Sequence, residues 1–156
     1  MMAQTQNSGA GNTCDLISFR IAEQDFCFDI ISVREIRGWV PATIIPHAPP
    51  CVLGVINLRG AVVPIVNLAT RLNLEVMAPT SRSVIIIAQV NGQIVGLLVD
   101  AVSDILSVST DEIQPTPDVV TDDAQGFING IITLDERMIR MIDLDGILPP
   151  RTTQSL

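Results

Sequence analysis

The 156-residue chain has no lysine and no tyrosine, and His47 is its one histidine. Without lysine there is neither a P-loop nor Schiff-base chemistry. With a single histidine, a multi-histidine metal site is impossible. Four Phe, one Trp and a net charge of −8 leave little to stack bases and a surface that repels phosphate backbones. Nucleic-acid binding is therefore not expected. A mean hydropathy of +0.43 suggests a membrane protein, yet the chain has no run of about 18 uncharged apolar residues. Cys14, Cys27 and Cys51 form no C-x-x-C pair, and their odd number reads as reduced thiols in a cytoplasmic protein.

What the chain does have is alternation. Ile17, Phe19 and Ile21 point one way and Ser18 and Arg20 the other; after a polar turn at 22–25, Phe26, Phe28 and Ile30 resume the pattern as a hairpin. Further strands are expected at 43–45, 54–58, 61–67, 83–90, 93–99, 127–134 and 137–143, with Asn91 and Gly92 as a two-residue hairpin turn. Helical periodicity is confined to 68–72 and 144–148, while 79–80 and 115–123 read as loops. Residues 1–13, rich in Gln, Asn, Gly and Ser, do not read as a signal peptide. They and 151–156 are expected to be disordered tails around one domain spanning 14–150. Short strands with frequent turns indicate an all-β barrel or sandwich.

An internal repeat sharpens that expectation. Residues 54–68 lie over residues 130–144 with glycine on glycine and nearly every apolar position matched. Residues 28–36 lie over 97–105, each preceded by a hairpin turn. Two halves, about 16–74 and 83–148, thus repeat one plan of four or five strands. Neither is large enough to be comfortable alone, so two barrels packed together with a crevice between them are expected, with strand exchange between them left open.

The candidate chemistry is sparse. Three cysteines and His47 could formally bind zinc, but only His47 and Cys51 approach ligand spacing, and packing roles suit the cysteines better. No G-x-S-x-G accompanies His47, which lies in a proline-rich linker. Asp143 with Asp145, and Asp122 with Asp123, fit solvated turns and caps better than an acid–base pair. Two stretches resist a bland reading. In Val33-Arg-Glu-Ile-Arg-Gly38, Val33 and Ile36 can pack inward while the charges stay outside. In Asn57-Leu-Arg-Gly60, arginine occupies a tight turn where Asp or Asn with Gly is expected, and projects a planar charged fork from a rigid support. The plainer alternative for Arg59 is a salt bridge, with Glu35 as a partner.

Several motifs follow in order over about 16–148: Phe26-x-Phe28-Asp-Ile30, Val33-Arg-Glu-Ile36, Pro46-His-Ala-Pro-Pro50, Gly54-Val-Ile-Asn-Leu-Arg-Gly60 and Val63-Pro-Ile-Val-Asn-Leu68. Gly96-Leu-Leu-Val-Asp100, Val102-Ser-Asp-Ile105 and Ile113-Gln-Pro115 continue the series. Together they resemble the CheW family of bacterial chemotaxis coupling proteins. The resemblance implies an all-β fold of two packed SH3-like five-stranded β-barrels with short helical turns. It also implies no catalytic activity, no cofactor and no metal. The implied role is an adaptor between the cytoplasmic tip of chemoreceptors and the regulatory domain of the CheA histidine kinase. Such a protein would be cytoplasmic, monomeric when free, and recruited to membrane-associated receptor arrays without inserting into the membrane.

Carried over residue by residue, the resemblance places the receptor on Val33, Glu35, Ile36, Gly54, Arg59, Val102 and Ile105. Asn57 and Gly60 are assigned to kinase contact. Asp135, Glu136 and Arg137 depart from the pattern by making the second turn charged, which leaves partner identity open. Two alternatives remain at this stage. One is a coupling protein of a non-chemotaxis array, controlling twitching motility or development; the remoter one is a small-ligand-binding β-barrel using the crevice.

Overall fold

A computed structural model describes residues 12–116 and 127–148. The tail expected at 1–13 is ordered at its end, where Thr13 opens a strand and the Asn12 carbonyl accepts the Thr110 N–H at 2.7 Å. Its residues 1–11, the tail expected at 151–156, and residues 117–123 of the expected loop with Asp122 and Asp123 lie outside the described residues. The first half supplies β1 (Thr13–Ile21), β2 (Gln24–Asp29), a 3₁₀ turn (Ile30–Ser32), β3 (Val33–Gly38), β4 (Val52–Leu58), β5 (Ala61–Asn67) and α1 (Leu68–Arg71). The second supplies β6 (Val84–Val90), β7 (Gln93–Val99), β8 (Ala101–Ser109), a 3₁₀ turn (Thr110–Glu112), β9 (Ile113–Gln114), β10 (Ile128–Leu134), β11 (Arg137–Ile142) and α2 (Leu144–Ile147).

Among the described residues four two-residue turns close hairpins, each with both central residues at positive φ: Ala22 and Glu23, Arg59 and Gly60, Asn91 and Gly92, Asp135 and Glu136. That geometry matches the twist of the strands it joins but disfavours side chains other than Gly, Asn and Asp. The first turn is braced from outside: the Asp100 carboxylate accepts the Ala22 N–H at 2.8 Å, and Arg20 Nη2 donates to the Glu23 carbonyl at 2.9 Å.

The strands form two sheets, in the orders β9-β10-β11-β2-β1-β8 and β3-β6-β7-β5-β4. Each sheet takes a hairpin from the other half of the repeat: β1–β2 joins the C-terminal strands, and β6–β7 joins β3, β4 and β5. The five-stranded sheet is therefore one continuous stretch of chain, and the other is assembled from both ends of it. The repeat extends to register. The parallel pair Ile65↔Gly96 in one sheet corresponds to Met141↔Cys27 in the other. Gly54 and Gly130 each follow a one-residue bulge.

Each sheet curls around a small core of its own. Ile56, Val63, Ile65, Ile85 and Ile87 fill one, while Leu16, Cys27, Val108, Ile132 and Ile139 fill the other. Their outer faces share a third and larger core containing Phe19, Phe26, Phe28, Ile86, Leu97 and Ile147. Phe19 meets Phe28 edge-on, with ring centroids 5.4 Å apart. Strands between two cores are buried on both faces, which explains apolar runs such as Ile85, Ile86 and Ile87 that would otherwise read as membrane-like.

Apart from the end of the N-terminal tail, the sequence reading needs correction in two places. The strand expected at 43–45 is a single bridge, Thr43↔Val55, corresponding to Gln114↔Ile131 of β9 in the other sheet. Pro41 and Pro46 flank it and Ile44 is 79% exposed, so no ladder extends. Strands β3, β8 and β9 were not anticipated. In β3 and β8 a bulge interrupts the alternation by which a strand is recognised.

Candidate functional site

Strands β3 and β8 are edge strands of different sheets, and they correspond to each other in the repeat. Both carry a one-residue bulge at the corresponding position. In β3, Val33 pairs with Ala88 and Glu35 with Ile87, leaving Arg34 as the extra residue. In β8, Val102 pairs with Phe19 and Asp104 with Ser18, leaving Ser103 as the extra residue.

The consequence is a matter of parity. Residues three apart on a regular strand point to opposite faces. An inserted residue resets the alternation, so Val33 and Ile36 face the same side, as do Val102 and Ile105. That side is the one turned to the shared core: Val33 and Ile36 lie opposite Ala88 and Ile86, and Val102 and Ile105 lie opposite Phe19 and Ile17. Val33 and Val102 pack against this core, whereas Ile36 and Ile105, 45% and 61% exposed, stand at its rim. Four apolar side chains, two from an edge of each sheet, are thus turned toward the core the sheets share.

Glu35 points the other way, toward the mouth of its own barrel. Each of its carboxylate oxygens meets a different arginine: Oε1 accepts from Arg59 Nη2 at 2.6 Å and Oε2 from Arg37 Nη1 at 3.1 Å. The salt bridge weighed from sequence is therefore present, and it connects the edge strand β3 to the turn at the opposite edge of the same sheet. Hydrogen bonds from Arg59 and then Arg37 hold the Glu35 carboxyl below its ordinary range, and Glu35 in turn raises Arg59. Arg59 has φ of 51° and its side chain is 69% exposed. The Asn57 side chain supports the turn by accepting the Gly60 N–H at 2.8 Å. An exposed, fixed charge pair thus stands at the end of one barrel.

Gly54 sits differently from the other anticipated residues. It is buried, at φ of 149°, under the backbone of Thr43; a Cβ there would lie 2.2 Å from the Thr43 carbonyl oxygen. Its place in the site is to let this segment cross β4, not to present a surface.

Sequence reasoning missed a groove of about 370 Å³ beside this region, lined by Trp39, Val40, Leu53, Val76 and Met77 among others. Val62, 73% exposed and paired across from Asn57, was missed as well. The available signal was an apolar run at 39–45 that no strand pattern absorbs. The Asn67 side chain in the groove is already used, its Oδ1 accepting the Ala69 N–H at 3.0 Å to cap α1. Among the described residues no group of three His, Cys, Asp or Glu is placed to hold a metal. Burial is the first cause raising all three thiols: Cys14 and Cys51 shift upward, and Cys27 is pushed up to about 12. None of these is a poised nucleophile. No helix among the described residues is long and apolar enough to cross a membrane.

Comparison with known proteins agrees with this fold. The CheW-like domain family matches residues 15–151. The chemotaxis protein CheW of Rhizobium meliloti (strain 1021) is 56% identical over 135 residues, covering 86% of this chain and 87% of that protein. The chemotaxis protein CheW of Klebsiella aerogenes is 33% identical over 141 residues, covering 89% of this chain and 85% of that protein. The crystal structure of the scaffolding protein TtCheW from Thermoanaerobacter tengcongensis superposes with a TM-score of 0.82 at 33% identity, covering 92% of this chain and 97% of that one. Two sheets of one repeated plan, a charged turn beside bulged apolar edges and these likenesses lead to one conclusion: the chain belongs to the CheW family, and it is a chemotaxis coupling adaptor.

Proposed function

We propose that the protein acts without catalysis, bridging the cytoplasmic tip of a chemoreceptor to the regulatory domain of the CheA kinase. The receptor tip, a helical hairpin, lies along the seam margin. Val33, Ile36, Val102 and Ile105 are its apolar anchors, and Glu35 with Arg59 fixes its orientation. The Asn57–Gly60 end of the turn faces the kinase. A free molecule is cytoplasmic, and the two contacts together recruit it to the receptor array, where multivalency strengthens individually modest interfaces.

The observation that carries this reading is the parity reset. Two bulges, one in each sheet, turn four apolar side chains to the same seam, where a packed core alone would have no need to leave Ile36 and Ile105 at the rim. Isothermal titration with the kinase regulatory domain and then with a receptor-tip fragment, using wild type and Arg59→Glu, tests it. Wild type binds both. Arg59→Glu sets a second acidic group against Glu35 and lowers receptor affinity about tenfold or more, by like-charge juxtaposition. Equal binding of both proteins to the receptor tip would remove Arg59 from the docking surface.

A further inference from the structure

The two bulged edges are not secured in the same way, and the difference rests on one buried hydroxyl. In the five-stranded sheet the residue opposite the bulge is Ile87, 1% exposed and part of that barrel's own core. The corresponding residue in the other sheet is Ser18, 3% exposed. A barrel this small gives up an apolar contact by placing serine there. The side chain is fully engaged: Oγ donates to the Asp104 carbonyl at 3.2 Å and accepts the Asp104 N–H at 3.1 Å. Both backbone groups of the residue just after the extra Ser103 are thus bonded by one hydroxyl, at the point where the bulge disturbs the ladder.

We infer that Ser18 is a positioning residue for receptor docking: its hydroxyl locks the β8 bulge in the register that turns Val102 and Ile105 to one face. This inference rests on the proposed seam-docking reading and adds to it the residue that sets the second half of the surface. Glu35, the counterpart of Asp104, is held through its side chain by two arginines. Asp104 enters no ion pair among the described residues, so the Ser18 bonds to its backbone take over that task. Edge strands have a free side and slip register easily when one face is not firmly buried. A slip of one residue here would exchange Ile105 for Asp104 on the docking face.

The test uses full-length Ser18→Ala, Ser18→Cys and Ser18→Thr, titrated separately with a receptor-tip fragment and with the kinase regulatory domain. Amide exchange at Asp104 and Ile105 methyl shifts are followed by NMR. Ser18→Ala is expected to lose about tenfold in receptor-tip affinity, the worth of a net buried hydrogen bond, while kinase affinity stays within about twofold. The Asp104 amide should exchange faster and the Ile105 methyl signals should move. Ser18→Cys, which keeps the shape with a weak hydrogen-bonding group, should behave like the alanine variant even if that one folds poorly; Ser18→Thr should restore binding. Wild-type receptor affinity in Ser18→Ala despite faster Asp104 exchange would overturn the inference, as would equal loss toward both partners. Ile105→Asp separates the two levels. If it leaves receptor affinity unchanged, the seam-docking reading itself fails; if it abolishes binding while Ser18→Ala does not weaken it, only the role of Ser18 is refuted.

Discussion

Replacing Arg71 by methionine should cost substantial stability although the residue is partly exposed. Arg71 ends α1, which follows the five-stranded sheet, yet its guanidinium serves the other sheet. Nε donates to the Ile147 carbonyl and Nη2 to the Leu148 carbonyl at 3.1 Å, so the open end of α2 is closed by a residue 76 positions away. The same guanidinium stacks 4.6 Å from the centroid of Phe127, just before β10. Methionine keeps the apolar stem and removes all three contacts. Two charge-assisted bonds, reduced for their partial exposure to water, and a cation–π contact amount to about 2–3 kcal/mol. For a chain of this size that is a fall in Tm of roughly 5–10 °C. Thermal and urea unfolding followed by circular dichroism would measure it, with an unchanged urea m-value showing that the denatured state is unaffected. Arg71→Lys keeps the charge but not the planar fork, and should recover less than half of the loss. A Tm within about 1 °C of wild type for the methionine variant would show that the clasp adds nothing to inter-sheet stability, and that shared burial alone joins the halves.

Other outcomes follow from single features. Gly54→Ala forces a Cβ to 2.2 Å from the Thr43 carbonyl oxygen and should cost about 2–4 kcal/mol in urea unfolding. Gly60→Ala, at φ of 89° with open space around it, should cost about 1 kcal/mol; equal costs would refute the crossing as the reason for Gly54. In a thiol-reagent titration of the native protein, half-buried Cys14 should react first, while Cys51 and Cys27 stay protected until unfolding. The Glu35 carboxyl, followed by NMR, should titrate below its ordinary 4.5, and Arg59→Ala should move the midpoint back up. Because its folded value is the lower one, the pair's contribution is complete above the unfolded pKa and disappears as pH falls through the folded value. A wild-type midpoint at or above 4.5 would contradict the paired geometry.

How much of this was legible in the sequence depended on whether a feature left a local mark. The hairpin turns did: Asn91 and Gly92 at positive φ, and the alternation about residues 22–25, were read directly. The repeat was also visible, because 54–68 and 130–144 fill corresponding positions in two small cores. Which hairpin completes which sheet was not legible. The hairpins β1–β2 and β6–β7 carry equivalent patterns, so either could have joined either set of partners, and the choice is made by crossings at Ile30–Ser32 and Asp100. The bulges were hidden for a related reason. Val33 with Ile36, and Val102 with Ile105, show a spacing of three that belongs to neither a regular strand nor a long helix. The anticipated residues of the site were reached through resemblance. That Val33, Ile36, Val102 and Ile105 face the shared core became a physical statement only once Arg34 and Ser103 were found unpaired in their ladders.

A repeated fold gains from repetition in its cores and from difference at its surface. Arg59 and Gly60 in the first unit correspond to Asp135 and Glu136 in the second, and both turns have the same left-handed backbone. Glu35 likewise corresponds to Asp104. One barrel end therefore presents a carboxylate bracketed by two arginines, while at the equivalent end of the other Asp104, Asp135 and Glu136 stand in place of Glu35, Arg59 and Gly60, with no ion pair at Asp104 or Asp135 among the described residues. If both ends carried the first arrangement, one partner could dock in two pseudo-equivalent orientations. Inverting the charge at one turn makes the wrong orientation repulsive without altering the strand plan. The lysine-free composition reinforces this discrimination, since the cationic side chains are nine arginines, whose planar guanidinium pairs more directionally than an ammonium. In the proposed bridging role, two similar barrels then meet two different partners with a single polarity.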